Sequence, residues 1–188
     1  GNPSNRKKGR AMGMPTTIDG HAAIQSSLAR AWGLDGYARI QRAVRETDVS
    51  SDAGFQRLYN RFYRVRRNAG WQAAYYEIMQ REKAVQDHSF VDLLREMHER
   101  TGNVEASFTS KMIATLAPDR PIWDSLVLER LGLRLKGTTA QAKLENAVGV
   151  YESIEGWYAD YLSTEDAERN IALFDEVLPD YAWLTSVK

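Results

Sequence analysis

The stretch Thr101-Gly102-Asn103-Val104-Glu105-Ala106-Ser107-Phe108-Thr109-Ser110-Lys111-Met112-Ile113-Ala114-Thr115-Leu116-Ala117-Pro118-Asp119-Arg120-Pro121-Ile122-Trp123-Asp124-Ser125-Leu126-Val127 carries the fold. Gly102 follows an apolar stripe and stops one helix, because glycine enters the left-handed backbone region without a Cβ clash. A second helix is expected from about Val104, with Phe108, Met112 and Leu116 at i, i+4, i+8 on a buried face. Pro118 ends it. A third helix is expected to start near Pro121 and stop at Gly132, burying Leu126, Val127 and Leu131. Two helices joined by a tight glycine turn form a hairpin.

The same helical period extends in both directions. Toward the N-terminus, Ala22, Ile24, Leu28, Ala31 and Trp32 mark one helix, with Gly33 as its expected stop. Tyr37, Ile40, Ala43 and Val44 mark the next. Ser50, Ser51 and Asp52 offer N-caps for a helix carrying Phe55, Leu58, Tyr59 and Phe62, and Asn68 to Gly70 breaks it. Trp71, Ala74, Tyr75, Ile78 and Met79 repeat at i, i+3, i+4, i+7, i+8, and Ser89 caps the helix of Phe90, Leu93, Leu94 and Met97. Toward the C-terminus, Thr138 or Thr139 opens a long helix to about Leu162. Thr164 and its neighbours cap another, and Pro179 starts a short last one. No alternation of period two stands out, although 133–135 reads as extended. The expected fold class is all-α, a compact multi-helix domain over 16–188 behind a disordered basic tail at 1–15 (Arg6, Lys7, Lys8, Arg10).

Composition narrows the function. Of 188 residues, 43% are hydrophobic, enough for a full core. Lys plus Arg equals Asp plus Glu at 25 each, so no global charge draws the chain to nucleic acid or an anionic membrane. The absence of Cys excludes disulfides, thiolate catalysis and cysteine-held metal, and fits a reducing, cytoplasmic setting. No apolar run approaches the roughly 18 residues that a membrane span needs. Walker and Gly-x-Gly-x-x-Gly loops are missing, and His21, His88 and His98 lack the spacing of helical metal ligands. No metal and no cofactor are expected.

Chemistry-bearing residues gather in the opening stretch. The turn at Gly102 leaves backbone N–H groups free at the next helix start, where a phosphate can dock. A proline-bounded loop then delivers Asp124, in Pro121-Ile122-Trp123-Asp124, to the opening of a helix. This order of hairpin, loop and carboxylate resembles the helix-hairpin-helix DNA glycosylase superfamily, with its 8-oxoguanine glycosylase-like fold, over residues 101–131. The resemblance implies a catalytic carboxylate at Asp124, a second catalytic candidate at Lys111, and DNA-backbone contacts at Gly102 and Val104. A carboxylate can stabilise a sugar cation or activate water, and a desolvated Lys amine can attack the sugar carbon. A flipped base needs aromatic walls, and Trp123 and Trp71 are the candidates. The chain departs from the family pattern in three places. Glu105 stands where a second hairpin glycine belongs, Trp123 adds a residue before the Asp, and Lys111 lies a turn late.

A second feature supports nucleic acid locally. Between Phe55 and Trp71 there are five Arg (57, 61, 64, 66, 67) and no acid. Arg57, Arg61 and Arg64 share one face by spacing, interleaved with Tyr59, Phe62 and Tyr63, and are candidates for phosphate contact. Plainer readings stand beside each candidate. Asp124 can be a helix cap, Lys111 can lay its stem along apolar surface, and the arginines can pair with Glu77, Glu82 or Asp87. Glu145 and Glu152 share a face of the long helix but read best as solvated. The expected function is a DNA-interacting protein of glycosylase-like fold, either a base-excision enzyme or a diverged or inactive form of one. The alternative is a non-enzymatic helical module that binds a protein partner or itself.

Overall fold

The computed structural model describes residues 17–28 and 33–184, so the tail at 1–15 and the predicted Ala31 and Trp32 lie outside the described residues. Among the described residues there are nine α-helices and no strand. They are α1 Gly20–Leu28, α2 Gly33–Glu46, α3 Ala53–Phe62, α4 Ala69–Glu82, α5 Phe90–Thr101, α6 Ala106–Leu116, α7 Ser125–Leu131, α8 Ala140–Leu162 and α9 Glu165–Val177. A 3-10 turn at Pro179–Tyr181 follows. The expected all-α domain is what forms. No described helix is long and apolar enough to cross a membrane.

Helix starts follow the local chemistry of the sequence. Asp52, Asn68, Ser89, Asp124, Thr139 and Thr164 each accept a hydrogen bond from the backbone N–H three residues on. Each such cap contributes about 1 kcal/mol. Gly102 (φ 78°) and Gly132 (φ 67°) close α5 and α7 in the left-handed region. Arg64 also takes a positive φ, 53°, just past α3.

Several boundaries differ from expectation. Gly33 is the first described residue of α2, and residues 29–32, where the helix of Ala22 to Trp32 is expected to end, lie outside the described residues. Asn68 caps α4 rather than only breaking α3. α6 begins at Ala106, two residues after Val104, and α7 at Ser125, because Asp124 rather than Pro121 supplies its cap. Leu126 is 42% exposed while Leu131 is buried. Five residues turn a helix by about 140° beyond a full circle, so both cannot face inward.

The core sits where α4, α5, α6 and α8 meet. Tyr59, Tyr75, Tyr76, Met79, Leu94, Met97, Met112, Ile113, Tyr151 and Ile154 are all fully enclosed. α5 packs on α4, α6 and α8, while α2 covers α3 and α6. α1 and α9 pack on each other at the far end of α8. Two tyrosine hydroxyls at its centre are paired: Tyr59 with Tyr75 at 2.7 Å, and Tyr75 donates to the Phe108 carbonyl at 2.7 Å. A buried hydroxyl without a partner would cost about 1–3 kcal/mol, so these bonds fix how α3, α4 and α6 meet.

Candidate functional site

α5 and α6 follow one another in the chain and are joined through Gly102. Their helices pack together across the turn 102–105, and Gly102 donates to the His98 carbonyl at 2.8 Å. The start of α6 has no side-chain cap. Glu105, at that start, turns aside and accepts from Arg67 at 3.2 Å. Its carboxylate is buried, so Arg67 answers the repulsion that an acid at a phosphate-binding turn implies. Gly102 is exposed and Val104 half-buried at this turn.

From Arg67 a row of rings and cations runs along α6. The Arg67 guanidinium lies 5.6 Å from the Trp71 ring centroid and 5.1 Å from that of Phe108. The Lys111 ammonium lies 5.0 Å from Phe108 and 5.5 Å from Tyr63. Cation–π contacts of this kind contribute about 0.5–2 kcal/mol, more as they are desolvated. Phe108 and Lys111 meet because they are three apart on α6, one turn. Phe108 is half-buried rather than enclosed, as is Leu116, while Met112 is fully buried.

The loop after α6 brings Asp124 to Lys111. The Ser110 hydroxyl accepts from the Trp123 backbone N–H at 2.8 Å in a buried bond. Tyr151 on α8 donates to the Pro121 carbonyl at 3.3 Å. The loop is therefore tied back along α6, one residue before Lys111 and one residue before Asp124. Burial lowers the Lys111 ammonium pKa, and the Asp124 charge acts in the opposite sense on the same group. The Asp124 charge is also felt by Tyr158 on α8, whose phenol is pushed up first by burial and then by that carboxylate. Asp124 itself is half-buried and accepts from the Val127 N–H at 2.8 Å as the cap of α7.

The other candidates scatter. Trp123 and Trp71 are each 5% exposed. Trp123 stacks on Phe90 and Trp71 on Tyr75, so both rings serve the core. The rings beside Lys111 that keep some open surface are Phe108 and Tyr63. Arg57, Arg61 and Arg64 are exposed on and just after α3, and Arg64 follows Tyr63 directly. Of the acids named as partners, Glu77 pairs with Arg100 and Glu82 with Arg81 and His88. Glu145 and Glu152 are exposed. Ser89 of the Asp87-His88-Ser89 run is a helix cap. Among the described residues no cluster of His, Asp and Glu is arranged to hold a metal.

Sequence reasoning misses Ser110 and Tyr158, because their roles depend on a loop and a helix returning from 13 and 34 positions further along the chain than Ser110 and Asp124 respectively. Arg67 belongs to the basic run, but its partner Glu105 is 38 positions away. Compared with family models, with curated proteins and with solved structures, the chain finds no match.

Proposed function

We propose that the chain is a DNA-interacting protein of helix-hairpin-helix glycosylase type, with Lys111 and Asp124 as its reactive pair. The observation that carries this reading is the desolvated Lys111 amine, held between Phe108 and Tyr63 and within the field of Asp124. A Lys whose charged form is disfavoured by burial supplies more neutral amine near neutral pH, the form that attacks carbon. In this reading the Lys111 nitrogen bonds to the anomeric carbon of a flipped nucleotide and the base leaves with the glycosidic electron pair. The Asp124 carboxylate stabilises the cationic sugar and takes the proton released from nitrogen. Arg57, Arg61, Arg64 and the uncapped start of α6 face backbone phosphates.

The experiment is borohydride trapping on duplexes carrying an abasic site or a damaged base. Wild type is expected to form a covalent adduct that Lys111→Ala abolishes and Asp124→Asn weakens without unfolding. Salt dependence tests the patch. The slope of duplex affinity against salt should fall by about 0.9 for each phosphate that the Arg57, Arg61, Arg64 triple alanine variant no longer neutralises. No adduct and no salt-sensitive binding at low ionic strength would refute the reading.

One observation favours a second reading. The Asp124 bond to Val127 N–H is all that a helix cap requires. In that case the chain is a helical interaction module, and Asp124→Asn changes melting temperature while no DNA activity exists to lose.

A further inference from the structure

A cavity lies away from Lys111 and Asp124, neither of which lines it. It measures about 350 Å³ and sits where the ends of α2 and α6 meet the connection from α4 to α5. Arg45, Lys83, Gln86, His88 and Thr115 are among its polar lining, and Val44, Val85 and Leu116 among its apolar walls. Its size falls within the roughly 300–1,000 Å³ of small-molecule sites.

His88 is the unusual member. It is 7% exposed, and its Nδ1 is hydrogen-bonded at 2.8 Å to Oε2 of Glu82, which is 8% exposed. The other Glu82 oxygen accepts from Arg81 at 3.2 Å. Arg120 donates to the His88 carbonyl at 3.0 Å. The imidazole is thus fixed by a carboxylate that does not itself line the cavity, and its backbone is held by a second cation. Desolvating such a pair gives little net stability over an apolar pair of the same size. Its placement at the wall of a ligand-sized cavity gives it a use.

The charged side chains on the lining are cationic. Lys83 is tethered by bonds to the Thr47 carbonyl at 2.7 Å and Gln80 at 3.2 Å, so its ammonium stays at the wall. Arg45 is exposed and makes no ion pair with a described residue. Asp48, which feels the Lys83 charge, lies at the surface and is held below the usual carboxylate range first by its bonds to Ser50. The end of α6 at Leu116 and Ala117 also lines the cavity and carries the negative end of the helix dipole.

We propose that this cavity binds a small organic anion, a phosphate monoester or a carboxylate on an apolar body. The anionic group sits at Arg45, Lys83 and His88, and the body lies against Val44, Val85 and Leu116. The site goes beyond the DNA reading and does not depend on it.

The test is isothermal titration of the full chain with phenyl phosphate, benzoate, inorganic phosphate and benzyl alcohol, with amide shifts followed at 85–88 and 115–117. One of the two organic anions should bind at least about tenfold tighter than both benzyl alcohol and inorganic phosphate, and which one identifies the anionic group. Arg45→Glu, at an exposed position, should weaken that binding by about tenfold or more with the melting temperature unchanged. His88→Asn should weaken it too. Because that variant can lose stability, Arg45→Glu keeps the test valid. Equal binding of benzyl alcohol, inorganic phosphate as tight as phenyl phosphate, no binding by any probe, or an indifferent Arg45→Glu would each overturn the proposal.

Discussion

Arg64→Gly should make the protein more stable, and the reason lies in one backbone angle. α3 ends in a Schellman-type turn: Tyr63 N–H makes the last helical bond, to the Tyr59 carbonyl at 2.9 Å, and Val65 N–H reaches back to the Asn60 carbonyl at 2.9 Å. The residue between them must be left-handed, and here it is Arg64, at φ 53°. For a side chain bearing Cβ this conformation costs about 1–2 kcal/mol. Glycine removes that cost and adds about 0.5–1 kcal/mol of chain entropy to the unfolded state. The exposed Arg64 side chain has little packing to lose, so the net gain is about 0.5–1 kcal/mol. In a chain of this length that corresponds to a melting temperature higher by about 1–4 °C. Gly102→Ala and Gly132→Ala provide the mirror experiment. A Cβ at either site meets nothing within 4 Å, so only the backbone is strained. Each should lower stability by about 0.5–1 kcal/mol, the strain less the chain entropy that alanine removes from the unfolded state. Differential scanning calorimetry on the three variants decides the matter. An unchanged or lower melting temperature for Arg64→Gly would show that the left-handed turn is not strained. If the variant is more stable but binds duplex DNA less well at low salt, the strain is retained for the guanidinium.

Further outcomes follow from the site. Phe108→Ala should cost about 2 kcal/mol by chemical denaturation, below the roughly 3–5 typical of fully enclosed rings, since Phe108 is half-buried. Lys111→Met should raise stability at neutral pH. Burial lowers the folded-state pKa of Lys111, so its ammonium opposes folding below that pKa, and wild type should recover stability as pH rises through it toward the unfolded value. A melting-temperature difference between the two proteins that does not shrink with rising pH would contradict this. On the acid side, the hydrogen bond from Arg81 holds Glu96 below its ordinary range. That stability is present above the unfolded pKa of about 4.3 and is lost as pH falls through the lower folded value. Arg81→Ala should therefore move the acid unfolding midpoint upward in a circular dichroism titration.

Much of the architecture is written locally. Ser89, Thr139 and Thr164 cap the helices that their positions announce, and the stripe from Trp71 to Met79 lies inward, because capping and period-3.6 burial are decided within one or two turns. Gly102 and Gly132 close their helices for the same local reason. Asp124 is legible as the residue that opens α7, but its relation to Lys111 is not. That relation is made by the Ser110–Trp123 bond across 13 positions and by Tyr151 gripping the Pro121 carbonyl from α8. Glu105 reads as a residue that repels phosphate, and only the fold sets Arg67, from another helix connection, beside it. The sequence by itself determined which segments are helical and where most begin. Only the tertiary structure decided which charges neutralise one another, because ion pairing and desolvation depend on residues far apart in the chain that packing alone brings within a few ångströms.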